Sequence, residues 1–294
     1  MKTILHSFFA IIILSAFTAC DQIDSDIIAN FGKEIKNDTT NVDTTGGEDT
    51  IEVRERKVLV EDYTGHTCPN CPRAATELKT LEALYGEKIV AIALHVSTTF
   101  AEPQPPTYTA DYRTTEGTEM DDFFNVSAAG LPKGMVNRKL IQGSRILPYQ
   151  SWGGEIGNII NAPLDAWISM KNSFNTAQNK VTTDLKIDFE NSINDEIKLC
   201  VFLVQDSIIS PQKDLDSPTG KIIDYVHMHM LRKGLTSAFG ESIITNPNAS
   251  TPEITKSYSL VLSSDQIPEH CKIVAFIYKA SNFEIIQVQE KHVK

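Results

Sequence analysis

Hydrophobic positions along this chain fall into continuous runs, helical stripes and alternating stretches, and each texture occupies its own region. Arg56 to Tyr63 (RKVLVEDY) and Ile89 to Val96 are unbroken aliphatic runs, the pattern of strands covered on both faces. Between them, Arg73 to Tyr85 repeats apolar residues at helical spacing (Ala74, Leu78, Leu81, then Leu84 or Tyr85) and stops at Gly86. A shorter helix is predicted near Glu119 to Phe124, and a last one over Trp152 to Lys171. Beyond these, helical periodicity nearly vanishes. Val181 to Phe189 alternates, Glu196 to Gln205 is aliphatic, and Thr255 to Leu262, Cys271 to Lys279 and Glu284 to Gln289 complete the strands. The expectation is an α/β domain over residues 53–175, followed by an all-β sandwich over residues 176–294.

The first 52 residues have a different character. Lys2 precedes an apolar run from Phe8 to Ala19 that falls short of the ~20 residues needed to cross a bilayer but suits a secretory signal. Phe17-Thr18-Ala19-Cys20 resembles a bacterial lipobox, with Phe17 where Leu is usual. That resemblance implies a signal peptide over residues 1–19, lipidation of Cys20, and attachment to a membrane through the lipid. Residues 21–52 hold nine acids against Lys33 and Lys36, a self-repelling composition that predicts a flexible acidic tether over 20–52. As a random coil it would span roughly 30 Å. Asp38-Thr39-Thr40, Asp43-Thr44-Thr45 and Asp49-Thr50-Ile51 resemble glycosylation acceptor sites of envelope proteins, and plain linker composition accounts for them as well.

With 41% hydrophobic and 22% charged residues in 294, the chain has enough apolar surface for a core. Its net charge of −11 repels a polyanion, and no basic stripe offsets it, so nucleic acid is excluded as a partner.

The candidate chemistry is Cys68-Pro69-Asn70-Cys71-Pro72, between the first aliphatic run and the first helix. A cysteine at a helix start meets unpaired N–H groups and the positive end of the helix dipole, which favour the thiolate. Cys68 is therefore expected to attack, and Cys71, one turn inside, to resolve the mixed disulfide. Pro69 fits the first helical position. A zinc half-site fits poorly, since structural zinc takes four ligands and the sequence has no second CxxC or HxxxH. A purely structural disulfide remains the competing reading. His66 reads as an exposed loop residue, or as a neighbour that raises the thiolate fraction of Cys68 when protonated.

Strand, CxxC, helix and strand together resemble the thioredoxin superfamily. That resemblance implies a cis-proline facing the dithiol, a role matched by Pro132 in Gly130-Leu131-Pro132 ahead of Lys133 to Arg138. It also implies a buried acid serving the resolving thiol, matched by Asp62, with Glu61 a rival. Thr67 stands where many thioredoxins have Trp. The long segment before Pro132, including the Pro-rich residues 102–106, could cover or shape the site.

In the C-terminal part, Cys200 and Cys271 form a possible structural disulfide, or else are buried free thiols. His227 and His229 at alternate positions would share a strand face, but two imidazoles rarely hold a metal, and no metal or cofactor is expected. The lipobox, EDYTGHTCPNCP, GLPKGMVNR and YVHMHMLRKGL together resemble the outer membrane protein 28-related family. That resemblance implies an envelope lipoprotein at the outer membrane with a thioredoxin-like domain and an Ig-like β-sandwich. Two functions follow as expectations. One is thiol–disulfide exchange with protein thiols and disulfides of the envelope through Cys68 and Cys71, with Asp62 and Pro132 assisting. The other is a non-enzymatic surface binding protein or adhesin that keeps the fold as a scaffold. A pair sealed beneath other side chains would favour the second.

Overall fold

The aliphatic run after Lys57 forms β1 (Val58–Thr64), buried at every position, as a strand covered on both faces must be. The computed structural model that shows this describes residues 54–294; the expected signal peptide over 1–19, Cys20 and the expected tether over 20–52 lie outside the described residues. Helix α1 (Cys71–Tyr85) buries Ala74, Leu78 and Leu81 and ends at Gly86, whose φ of 60° suits glycine. Strand β2 (Ile89–His95), also wholly buried, pairs in parallel with β1. Helix α2 (Thr115–Phe124) begins with the Thr114 side chain accepting from the Gly117 N–H. Strand β3 (Lys133–Val136) then returns antiparallel to β1.

Helix α3 covers only Trp152–Ile159, and Ala166–Asn175 is strand β4. The single helix expected over 152–171 is thereby corrected. Pro163 cannot continue a helix, and the residues after it alternate between core and solvent. Strand β5 (Lys180–Phe189) forms a hairpin with β4, so the boundary expected at 175/176 falls in that turn. Strand β6 (Glu196–Gln205) follows, and then four two-residue strands: β7 (Ile208–Ile209), β8 (Gln212–Lys213), β9 (Lys221–Ile222) and β10 (Val226–His227). Strands β11 (Met230–Gly234), β12 (Glu241–Thr245), β13 (Ile254–Val261), β14 (Cys271–Lys279) and β15 (Ile285–His292) complete the order.

The result is mixed α/β. Among the described residues the largest sheet has the order β15-β14-β6-β11-β2-β1-β3, with β12 also paired to β6. Strands from both expected domains therefore share one sheet. One face of it carries a continuous core from Leu59, Ile92 and Leu94 to Phe202, Phe276 and Val288. The other face is divided. Around β1 to β3 it packs on α1 and α3 through Leu78, Leu81, Trp152 and Ile156. Around β6 and β14 it packs on the small sheet β13-β5-β4 through Ile168, Leu185, Leu203 and Ile273. No helix among the described residues is long and apolar enough to cross a membrane.

At the junction lies an ion pair with no access to solvent. Arg138 donates to both Glu61 oxygens at 2.8 and 2.6 Å, and its guanidinium lies 5.0 to 5.6 Å from the rings of Phe124, Phe276 and Tyr278. Removing one partner strands the other's charge in the core. Glu61→Ala is expected to cost about 3–5 kcal/mol in urea denaturation, more than an ordinary surface substitution.

Candidate functional site

The CxxC turn is pinned before the helix starts. Thr67 donates its backbone N–H and its hydroxyl to the Phe100 carbonyl at 3.0 and 2.9 Å, and the Cys68 N–H reaches Gly65 O at 3.0 Å. Gly65 lies so close to Phe100 that a Cβ would sit 2.3 Å from its carbonyl oxygen, so a larger residue would force the turn apart. Cys68 and Cys71 are joined in a disulfide with Cα atoms 5.5 Å apart. Helix α1 starts at Cys71 with Asn70 as its N-cap. Cys71 is thus in the first turn rather than one turn inside it, and Pro69 precedes the helix instead of opening it.

Both half-cystines are buried, Cys68 at 1% and Cys71 at 2% exposure. Part of the cover comes from the long segment before Pro132, as expected, through Phe100 and Gln104 on Thr67. The rest comes from the turn carrying β8 and β9. Gln212 donates to Cys68 O at 2.9 Å and to Gly65 O at 3.3 Å. The backbone N–H groups of Lys213 and Leu215 reach His66 O and Pro69 O at 2.9 and 2.8 Å. Outside these, Arg73 grips both Asp216 oxygens at 2.8 and 2.7 Å.

Beside the disulfide a cavity of about 670 Å³ is lined by Cys71, Asp62, Leu78, Glu82 and His229 among others; Cys68 is not on its wall. The two consecutive acids of β1 point opposite ways. Glu61 serves Arg138, whereas Asp62 lines the cavity, with Oδ1 buried and unpartnered. Burial pushes the Asp62 carboxyl up to about 7, against the opposing pull of His229. Pro132, after a cis Leu131–Pro132 bond, immediately precedes β3, whose Lys133 and Gly134 pair with Tyr63 and Asp62.

The histidines depart from their expected places. His66 is 1% exposed, not a surface loop residue, and burial lowers its pKa, so it is largely neutral at pH 7. Its ring lies 6.2 Å from that of His95, and His227 lies 5.5 Å from His95, with Tyr112 between 5.4 and 5.8 Å from all three. His227 and His229 do not act as a pair. Burial brings His227 down to about 4. Burial also works against charging His229, but its hydrogen bond to Glu82 and the charges of Glu82 and Asp206 hold its pKa above the usual value. Its Nε2 is 3.0 Å from Glu82 and its Nδ1 3.4 Å from Asp206. Among the described residues no group of three or more His, Cys, Asp or Glu is arranged to hold a metal ion.

Cys200 and Cys271 do not pair; both are buried free thiols. Cys200 lies opposite Phe276 in the β6–β14 ladder, five positions from Cys271, and the odd spacing sends the two side chains to opposite faces of the sheet. Accordingly, Cys200 packs in one core and Cys271 in another. Sequence reading also missed Gln212 and the Arg73–Asp216 clamp, because residues 210–222 are polar and aperiodic. The adjacent histidines were visible, but not their separate partners.

Two outcomes follow. The cover must lift before bulk thiols reach Cys68, so Gln212→Ala should speed reduction by dithiothreitol about tenfold, the worth of one buried hydrogen bond, and Arg73→Ala about threefold. The Asp62 carboxyl holds its proton more tightly folded than unfolded, so its penalty on the folded state grows as pH rises from the ordinary carboxylate range to about 7 and is fully present above that. Asp62→Asn should therefore gain up to about 4 kcal/mol over the parent protein at pH 8 and nothing from this source near pH 4, read by urea denaturation at both values.

Comparison with known proteins gives the fold and the family. HBP35 of Porphyromonas gingivalis superposes with a TM-score of 0.57 at 15% identity, over 81% of this chain and 76% of that one, a likeness of fold. A domain of the outer membrane lipoprotein Omp28 from Porphyromonas gingivalis covers 45% of this chain and 91% of its own, with 16% identity and a TM-score of 0.31. No curated protein matches the chain by sequence. The family profile described as outer membrane protein Omp28 matches residues 119–294, well over half of the sequence. The chain belongs to that Omp28 family, and the membership sets it in the cell envelope at the outer membrane.

Proposed function

We propose that this chain is an envelope thiol–disulfide exchange protein, lipid-anchored through Cys20, in which Cys68 and Cys71 pass electrons to or from protein partners. In this reading the unit from β1 to β3 is thioredoxin-like, and the layers around β4, β5, β6, β13 and β14 are an Ig-like sandwich that presents or selects the partner. The observation that carries it is the disulfide next to the start of α1 with an unpartnered buried carboxyl, Asp62, on the same cavity as Cys71. Asp62 can take the proton of one thiol as the disulfide opens and return it when the pair reforms. Pro132 supports the same reading by its place directly before the strand paired with Asp62. The burial of both half-cystines means that a protein partner is met only after residues 212–216 swing away.

That same burial favours a second reading, a surface binding protein in which the disulfide is a staple. Titration against glutathione separates the two. An exchange protein is expected to equilibrate at a potential above about −300 mV, and its Cys71→Ser variant to form mixed disulfides through Cys68. A potential below that value, no trapped partner, and unchanged surface binding after Cys68→Ser with Cys71→Ser would overturn the exchange reading.

A further inference from the structure

The cover and the cavity treat the two sulfurs differently. Residues 212–215 bind the backbone of the turn around Cys68, closing the side from which a protein partner would approach. Cys71 instead lines a cavity of about 670 Å³, within the size range of small-molecule sites. Its walls include apolar Pro72, Ala75 and Leu78 of α1 and Met228 opposite, and among its buried, unsatisfied polar atoms, which include ring nitrogens of His95, His227 and His229, Asp62 Oδ1 is the carboxyl oxygen. An orphaned buried carboxyl oxygen calls for a hydrogen-bonding partner. Most other charges on the cavity wall are already spent: Glu82 and Asp206 on His229, and Lys272 on Asp206 and Glu290. Lys79 is the exception, an exposed cation on the same wall with no ion pair among the described residues.

From this asymmetry we infer that the cavity is a binding site for a low-molecular-weight thiol bearing a carboxylate, such as a short cysteine-containing peptide, which enters at Cys71 while the cover stays closed. The inference rests on the exchange reading of the pair and adds a second substrate class to it. The thiol lies with its carboxylate at Lys79 and gives its proton to Asp62. The thiolate attacks Cys71 Sγ, the bond between the half-cystines breaks, and Cys68 leaves as a thiolate that takes up the proton. A second thiol molecule attacks the mixed disulfide on its own sulfur, forming a small-molecule disulfide and releasing Cys71 as a thiolate, which the second proton neutralises. Two thiols are oxidised and one protein disulfide is reduced, two electrons on each side. An Asp62 carboxyl that titrates near 7 is suited to carry the proton at neutral pH.

Glutathione is the probe, with uncharged 2-mercaptoethanol as the control, on the full chain. Reduction by glutathione is expected to saturate with concentration. Lys79→Glu should raise the half-saturating glutathione concentration about tenfold while leaving the 2-mercaptoethanol rate unchanged, a readout that a folding defect would not give. Ala75→Trp, which fills the cavity, should abolish saturation, and Cys68→Ser, given oxidised glutathione, should take up one glutathione on Cys71 and release the other as the thiol. Strictly linear dependence on glutathione, or equal effects of Lys79→Glu on both thiols, overturns the small-thiol site and leaves exchange with proteins standing. A disulfide that neither glutathione nor dithiothreitol opens overturns the exchange reading itself.

Discussion

Two carboxylates stand side by side on a strand that sees no water, and the rest of the architecture answers that constraint. Alternation along β1 sends Glu61 to one face of the sheet and Asp62 to the other. A buried charge must be paired or lose its charge, and the two faces take one solution each. On the first, Arg138 neutralises Glu61 and is in turn enclosed by rings from α2 and β14. That pair ties the N-terminal strands to the C-terminal sheet at the centre of the molecule. On the second face no cation among the described residues reaches Asp62 within hydrogen-bonding distance, and burial keeps the group protonated well above the ordinary carboxylate range. A structural acid and a chemically usable one thus come from neighbouring residues of one strand.

The parts of the site that sequence could reveal are those encoded locally. Strands β1 and β2 announce themselves as aliphatic runs, α1 as a stripe closed by Gly86, and the CxxC by its place between them. Pro132 and Asp62 needed a family resemblance, because an X-Pro bond does not declare its isomer and a doubly buried strand does not declare its faces. The helix expected through Lys171 ends at Ile159, ahead of Pro163, and the apolar residues after that proline belong to β4. The cover over Cys68 was illegible for a different reason. Gln212 and Lys213 sit in a polar turn whose local composition says only loop, and their partners lie well over a hundred residues away in sequence.

The shared sheet changes how the two halves relate. A boundary drawn by texture, helices before and strands after, separated segments that in space join edge to edge in one sheet, with β11 lying between β6 and β2. The connection from β6 to β11 carries both Gln212, which closes Cys68, and His229, whose backbone carbonyl accepts the Ala93 N–H of β2 at 2.8 Å. A disturbance of the C-terminal strands is therefore mechanically connected to the cover of the N-terminal cysteines, through a segment anchored at both ends.

The separation of Cys200 from Cys271 by the sheet has its own meaning for a chain that matures among oxidants. Each thiol is pushed up to about 12 by burial, so neither is reactive once packed. Whatever wrong bonds form early in maturation, the finished architecture retains no route between these two sulfurs. Among the four described cysteines, only the neighbours at the CxxC are joined in the closed fold, and the packing of both cores is compatible with that bond.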